Sequence, residues 1–224
     1  MTRSLILASL AAVLTLSLVC STAIRHGHAD VPVAGSADRI QPLGVGDQAP
    51  RFILQTVESG TFDFNPETLD KPVMLLVFRG GWCPYCNVYL SEMRHVIPEI
   101  RALGIDVLFL SGDRPELLYE SLEQQAQEDI EGLDYTILSD ADAQASIALG
   151  IAFKAGQRTV DYVKQKGDGY RKSSMERHGI LPVPAVFAIG RDGVISFTYI
   201  NPDYKMRLPA DELLAAARAI AAAD

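Results

Sequence analysis

The sequence predicts an α/β fold in which a central mixed β-sheet is flanked by helices and carries a β-hairpin extension at its N-terminal end. Three observations lead there. Residues 73–78, VMLLVF, are a continuous apolar run, the pattern of a central strand covered on both faces. The segment behind them places Tyr89, Met93, Val96, Ile97, Ile100 and Leu103 at helical spacing. Strand and helix signals then alternate down the chain to a late hairpin and a last helix, as a mixed sheet with helical crossovers requires.

Each element has its own signal. Phe52-Leu54 and Thr61-Phe64 flank Ser59-Gly60, which reads as a short hairpin. After strand 73–78 the helical pattern runs to Gly104, a natural stop, with Pro98 inside it predicting a kink. Ile105-Ser111 reads as a second buried strand, Pro115-Gln127 as a helix, Tyr135-Leu138 as a strand, and Ala141-Leu149 as a helix stopped by Gly150. Ala185-Ile189, the turn Arg191-Asp192-Gly193 and the alternating strand Val194-Ile200 complete the sheet, and Ala210-Ala222 is the last helix. This order is that of a thioredoxin-like fold.

The chemistry is concentrated at FRGGWCPYCN, residues 78–87. Cys83 falls where the buried strand gives way to the helix, and Pro84 suits the first helical turn, where a missing N–H is no loss. Unpaired amides and the positive end of the macrodipole at that point favour a thiolate, so Cys83 is expected to be exposed, low in pKa and attacking, with Cys86 shielded one turn inside. A tetrahedral zinc site needs four ligands, whereas the mature chain, without Cys20, offers this pair plus the scattered His26, His28, His95 and His178, so no metal or other cofactor is expected. A purely structural disulfide would close too short a loop to restrict the unfolded chain much.

Composition narrows the partners. Of 224 residues, 48% are hydrophobic and 21% charged, ordinary for one globular domain, and the net charge of -8 speaks against a phosphate-neutralising nucleic-acid surface. Residues 1–29 contain Arg3, Arg25 and no acid around the apolar run 5–19, which reads as a signal peptide or membrane anchor. Cleavage after Ala23 or Ala29, a retained anchor, and lipidation at Cys20 all remain open, and each puts the catalytic part outside the cytoplasm. Residues 30–46, with Pro32, Gly35, Pro42, Gly44 and Gly46, read as a linker, and residues 47–224 as the redox domain.

GDQAPRFIL at 46–54, VFRGGWCPYCN at 77–87, LPVPAVFAIGRDGVISF at 181–197 and NPDYKMRLP at 201–209 resemble the peroxiredoxin-like branch of the alkyl hydroperoxide reductase and thiol-specific antioxidant (AhpC/TSA) family. The resemblance runs from about Leu43 to the C-terminal helix and implies a thioredoxin fold and thiol redox chemistry. In the family's P-x-x-x-T-x-x-C motif the last cysteine attacks peroxide; aligned on it, Cys86 takes that position, Cys83 that of the threonine and Arg79 that of the proline. The family's distant arginine has no counterpart before Ala185-Ile189, where Pro184 stands instead, matching the cis-proline of thioredoxins. Arg79 is a candidate to replace that arginine.

Two enzymatic readings follow, both ending in a Cys83–Cys86 disulfide. Disulfide exchange ranks first: Cys83 attacks a protein or small-molecule disulfide and Cys86 resolves. Peroxide reduction ranks second, with Cys86 oxidised to a sulfenic acid and Cys83 condensing with it, and a thiol donor such as a thioredoxin-like protein restoring the pair. A redox-inert binding protein ranks third. Pro184, Arg79 and Trp82 are the expected substrate-positioning residues, Tyr85 and His178 weaker candidates, and Asp203, Tyr204 and Arg207 belong to the tail motif without an assigned chemistry. The seven basic residues of 151–183 (Lys154, Arg158, Lys164, Lys166, Arg171, Lys172, Arg177) suggest a docking patch for an acidic partner or a solvated loop.

Overall fold

A computed structural model describes residues 32–57, 60–165 and 175–223. The expected export segment, Cys20, His26, His28, Ser59, Lys166, Arg171 and Lys172 lie outside the described residues. Strand β3, Val73–Phe78, is buried at all six positions. It pairs in parallel with β4, Asp106–Ser111, in the register Val73↔Asp106 to Phe78↔Ser111, and antiparallel with β8, Ala185–Ile189. With β1 (Phe52–Thr56), β2 (Thr61–Phe64), β5 (Thr136–Ser139) and β9 (Ile195–Ile200) this makes a seven-stranded mixed sheet in the order β2-β1-β5-β4-β3-β8-β9. The fold is thioredoxin-like, and its N-terminal hairpin β1–β2 extends the sheet by pairing antiparallel with β5.

Alternation along β3 sets the two faces of the core. Met74, Leu76 and Phe78 pack with α1 (Pro84–Met93), α2 (Ile97–Ala102) and the C-terminal helix Ala210–Ala223 through Leu90, Met93, Ile97, Ile100, Leu213 and Ala217. Val73, Leu75 and Val77 face the other way, into Phe52, Phe64, Leu108, Phe187, Leu149 and Ile151. A small second sheet pairs β6, Ala152–Lys154, with β7, Ile180–Pro182; it carries Phe153 to the redox end of the molecule.

Several expectations need correction. The long kinked helix is two helices, broken at residues 94–96, because Pro98 lacks the N–H that an uninterrupted helix needs there. Pro115-Gln127 is a 3-10 turn at Pro115–Leu117 followed by helix α3 at Gln124–Ile130. The stretch expected as a linker is, from Pro32 to Gly46, fastened to the domain: Ala34 bridges to Phe153, and the Leu43 and Gly46 amides donate to the carbonyls of Leu149 and Ile195. Gly150, at a φ of +72°, lets Gln41 pass so close that a Cβ would sit 2.0 Å from its carbonyl oxygen. The bond before Pro184 is trans, as are all peptide bonds among the described residues. The chain passes directly from β7 through Val183-Pro184 into β8, with the Val183 amide donating to Ile151 O at 2.9 Å.

Candidate active site

The loop between β3 and α1 is shaped by glycine and held by buried polar groups. Gly80 has a φ of +144°, and a Cβ there would lie 2.6 Å from Asp113 Oδ1 and from Trp82 Nε1; one on Gly81 would lie 2.2 Å from Ser121 Oγ. The Gly81 amide donates to Asp113 Oδ2 at 2.6 Å. Asn87, buried in α1, closes the loop by donating through Nδ2 to Gly81 O at 2.7 Å and Cys83 O at 3.1 Å, while its Oδ1 accepts from the Glu123 amide at 2.9 Å. Cys83 is the N-cap of α1 and Pro84 its first residue, so Cys86 falls one turn inside.

Both cysteines are free thiols and both are buried, Cys83 with 2% and Cys86 with 0% of its surface exposed. The expectation of an exposed, acidified Cys83 is overturned. The hydrogen bond that Cys83 makes to Cys86, together with burial, pushes its thiol above the ordinary value. Burial alone would push Cys86 up too. The Cys83 hydrogen bond, the Arg207 guanidinium and the Arg79 backbone N–H outweigh it and bring Cys86 down to about 7. The pair thus gives up one proton readily and the second with difficulty. Arg207 Nη2 donates to the Cys86 Sγ at 3.5 Å, a contact that favours the thiolate on Cys86.

Arg207 is the residue that sequence reasoning left without chemistry. It comes 121 positions after Cys86, in the tail motif that precedes the C-terminal helix; membership of that motif was its one sequence signal. The same segment supplies Tyr204, whose ring lies 4.2 Å from the Arg79 guanidinium, with the Phe153 ring at 5.6 Å. Arg79 is buried and ion-paired to no carboxylate among the described residues; its Nε also lacks a hydrogen-bond partner there. Burial lowers its pKa, against the opposing pull of Cys83 and Cys86.

A cleft of about 270 Å³ opens over Cys83, walled by Arg79, Trp82, Tyr85, Arg158, Tyr162 and Tyr204. Tyr85, half-exposed, meets Tyr204 edge to face at 5.6 Å. A second groove, of about 350 Å³, is lined by Arg207, Tyr85, Tyr89 and Lys205. Arg79, Trp82 and Tyr85 are therefore brought together with the thiols. Pro184 is buried at the same end of the sheet and lines neither groove. His178 is engaged elsewhere: Nδ1 accepts from the Ile180 amide at 3.0 Å, leaving Nε2 to donate to Ala141 O at 3.0 Å. Asp203 caps its own turn by accepting from the Lys205 amide. Of the basic residues of 151–183, Arg158 lines the cleft and Arg177 pairs with Asp142. Among the described residues no group of three or more His, Cys, Asp or Glu is placed to hold a metal.

Residues 45–198 match the model of the AhpC/TSA family. The chain belongs to that family. It is an oxidoreductase of the thiol type, similar to the peroxiredoxin Bcp of Escherichia coli K12, with 29% identity over 112 residues, 50% of this chain and 67% of that one. It is also similar to the thiol-disulfide oxidoreductase ResA of Halalkalibacterium halodurans, with 24% identity over 106 residues, 47% of this chain and 56% of that one. Among solved structures, the peroxiredoxin-like protein of Aquifex aeolicus superposes with a TM-score of 0.60 at 18% identity, covering 80% of this chain and 89% of its own. The peroxidoxin BcpB of Mycobacterium tuberculosis gives 0.54 at 19%, covering 80% and 98%. Those two likenesses support the fold.

Proposed function

We propose that this AhpC/TSA member reduces hydroperoxides, with Cys86 as the attacking thiolate and Cys83 as the resolving thiol. The observation that carries this reading is the Arg207 guanidinium on the Cys86 sulfur. It holds the anion needed for attack and is placed to stabilise charge as the O–O bond breaks. The Cys86 thiolate attacks the terminal peroxide oxygen, a S–O bond forms, the O–O bond breaks, and the alkoxide or hydroxide leaves with a proton. The Cys83 sulfur then attacks the sulfenic acid, releasing water and forming the Cys83–Cys86 disulfide. A thiol donor, two thiol groups in all, reduces that bond and is itself oxidised to a disulfide. Asn87, Gly80 and Gly81 position the loop, and Arg79 shares the thiolate's field.

Disulfide exchange is the second reading, favoured by one observation: Cys83, not Cys86, lines the open cleft. Single-turnover stopped-flow separates the two. The reduced protein is expected to react faster with hydrogen peroxide than with a protein disulfide by about a hundredfold or more; the opposite order would favour exchange. We further propose that residues 1–29 export the protein, on the strength of the order Arg3, apolar run, small residues.

A further inference from the structure

We propose that the cleft over Cys83 is the site at which reducing equivalents enter, and that it takes a small thiol bearing a carboxylate, which attacks the Cys83 sulfur of the oxidised pair. The proposal rests on the reading above in one respect, that a Cys83–Cys86 disulfide forms during turnover.

Access comes first. Cys83 forms part of the cleft wall, whereas Cys86 is wholly buried, so a molecule held in the cleft meets Cys83. Cys83 is the sulfur that a reductant attacks in the reading above, so an occupant of the cleft is placed to act as the reductant. Leaving-group chemistry agrees: attack at Cys83 expels Cys86, whose thiolate Arg207 stabilises, and the better-stabilised thiolate leaves faster. The balance is complete with two thiols. The first thiolate bonds to Cys83 as the Cys83–Cys86 bond breaks and Cys86 takes the electron pair. The second attacks the bound thiol's sulfur, Cys83 leaves and takes up a proton, and the small thiol departs as its disulfide.

The charge of the occupant follows from the walls. In a protein of net charge -8, the cleft is lined by Arg79 and Arg158 and by no carboxylate among the described residues. Arg79 is held between the Tyr204 and Phe153 rings, buried and without an acidic partner there. In the reduced state the thiolate charge of the Cys83–Cys86 pair offsets part of that burial. Forming the disulfide removes that charge and leaves a desolvated guanidinium without an anion, a costly condition that a carboxylate relieves. Binding is thereby strongest in the oxidised state, where a reductant is needed, and weakens once the thiolate returns. The aromatic walls suit the short apolar stem between a carboxylate and its thiol.

The test uses full-length protein oxidised to the Cys83–Cys86 disulfide with diamide, so that peroxide plays no part. Reduction is followed through Trp82, the single tryptophan of the chain, adjacent to Cys83. The probes are 3-mercaptopropionate, glutathione, 2-mercaptoethanol and cysteamine, each rate divided by that thiol's thiolate fraction. At low salt 3-mercaptopropionate is expected to outpace cysteamine by about tenfold, as one charge-assisted contact implies. Arg79→Gln should bring that ratio close to unity, Arg79→Lys should keep part of it, and Arg158→Gln, at an exposed site that tolerates change, should lower it by a smaller factor. Because each ratio is taken within one variant, a general loss of reactivity cancels. Mixed disulfides trapped by acid quench should map to Cys83. Equal rates for all probes in the unmodified protein, a ratio that survives both glutamine variants, or mixed disulfides on Cys86 would overturn the proposal. So would a glutamate-flanked cysteine peptide that gains from Arg79 when the small anionic thiols do not, since the occupant would then be a protein segment. Failure of peroxide reduction leaves all these rates unchanged, so the two readings fail separately.

Discussion

Cys83 and Cys86 are the same group three positions apart, and their neighbours separate them. Arg207 and the Arg79 amide act on Cys86, and Cys83 hydrogen-bonds to it, so alkylation of the reduced protein should begin at Cys86 and its rate should rise through about pH 7 instead of near the ordinary thiol value of 9.0. Burial opposes this labelling, so a small reagent such as iodoacetamide is the one to use, with peptide mapping after brief exposure. Label appearing first on Cys83 would restore the exchange assignment. Arg207→Gln should move the midpoint upward and slow reaction with hydrogen peroxide by about a hundredfold, the cost typical of losing one pre-positioned donor to a developing anion. Stopped-flow of the variant across pH measures both effects together. An unchanged midpoint would show that the guanidinium does not hold the thiolate.

Among elements, β3 and the short helix after β5 illustrate different sources of order. Leu75 is fully buried in the central strand, and Leu75→Ala should cost about 2–5 kcal/mol, measured by urea unfolding. Helix α4, Gln144–Ala148, is held at its start by Asp140, which accepts from the Ala145 and Ser146 amides at 2.9 and 2.8 Å. Burial pushes the Asp140 carboxyl from 3.8 up to about 6, in spite of these bonds. Folded Asp140 therefore keeps its proton at pH values where the unfolded chain has lost it. Its contribution to stability grows as pH falls from about 6 toward 4 and is lost as pH rises through 6. Asp140→Asn should flatten that slope in unfolding curves taken at several pH values; a slope that stays the same would assign it to other carboxylates.

The same elements show what was legible. The run VMLLVF, the helical spacing behind it and the alternation in 194–200 announce themselves because burial on two faces, one stripe or one face leaves a periodic trace in the residues. The placement of the thiol pair at a strand-to-helix junction was legible for the same local reason. The roles proposed within the pair were not, since the proposal depends on Arg207, brought to Cys86 by the segment before the C-terminal helix. The docking of residues 32–46 was equally hidden: its hydrogen bonds run through backbone amides to Ala152, Leu149 and Ile195, and the apolar Ala34, Ile40 and Leu43 that pack on the core follow neither helical nor strand spacing. Pro184 shows the reverse error, a local likeness whose isomer depends on the path of the chain through β7 and β8.

For the whole molecule, the sheet places one wholly buried sulfur and one cleft-lining sulfur at the same end. Burial of Cys86 implies selection by size, so hydrogen peroxide should react at least about tenfold faster than cumene hydroperoxide, read from single-turnover rates; parity would show that the site opens more freely than its packing suggests. The proposed export is also tested at this scale. A phosphatase-type reporter fused after Asp224 should be active and a cytoplasmic reporter silent, and the opposite pattern would remove residues 1–29 from the functional reading.

The most direct test is to treat Cys83→Ser and Cys86→Ser with one equivalent of hydrogen peroxide, add a sulfenic-acid probe, and read the modified residue by mass spectrometry. Cys83→Ser is expected to consume the peroxide and carry the probe on Cys86, because attack needs the Arg207-held thiolate and not the resolver. Cys86→Ser is expected to consume almost none. If instead Cys86→Ser carries the probe on Cys83 while Cys83→Ser stays unmodified, the attacking sulfur is Cys83 and the assignment of roles built on Arg207 is wrong.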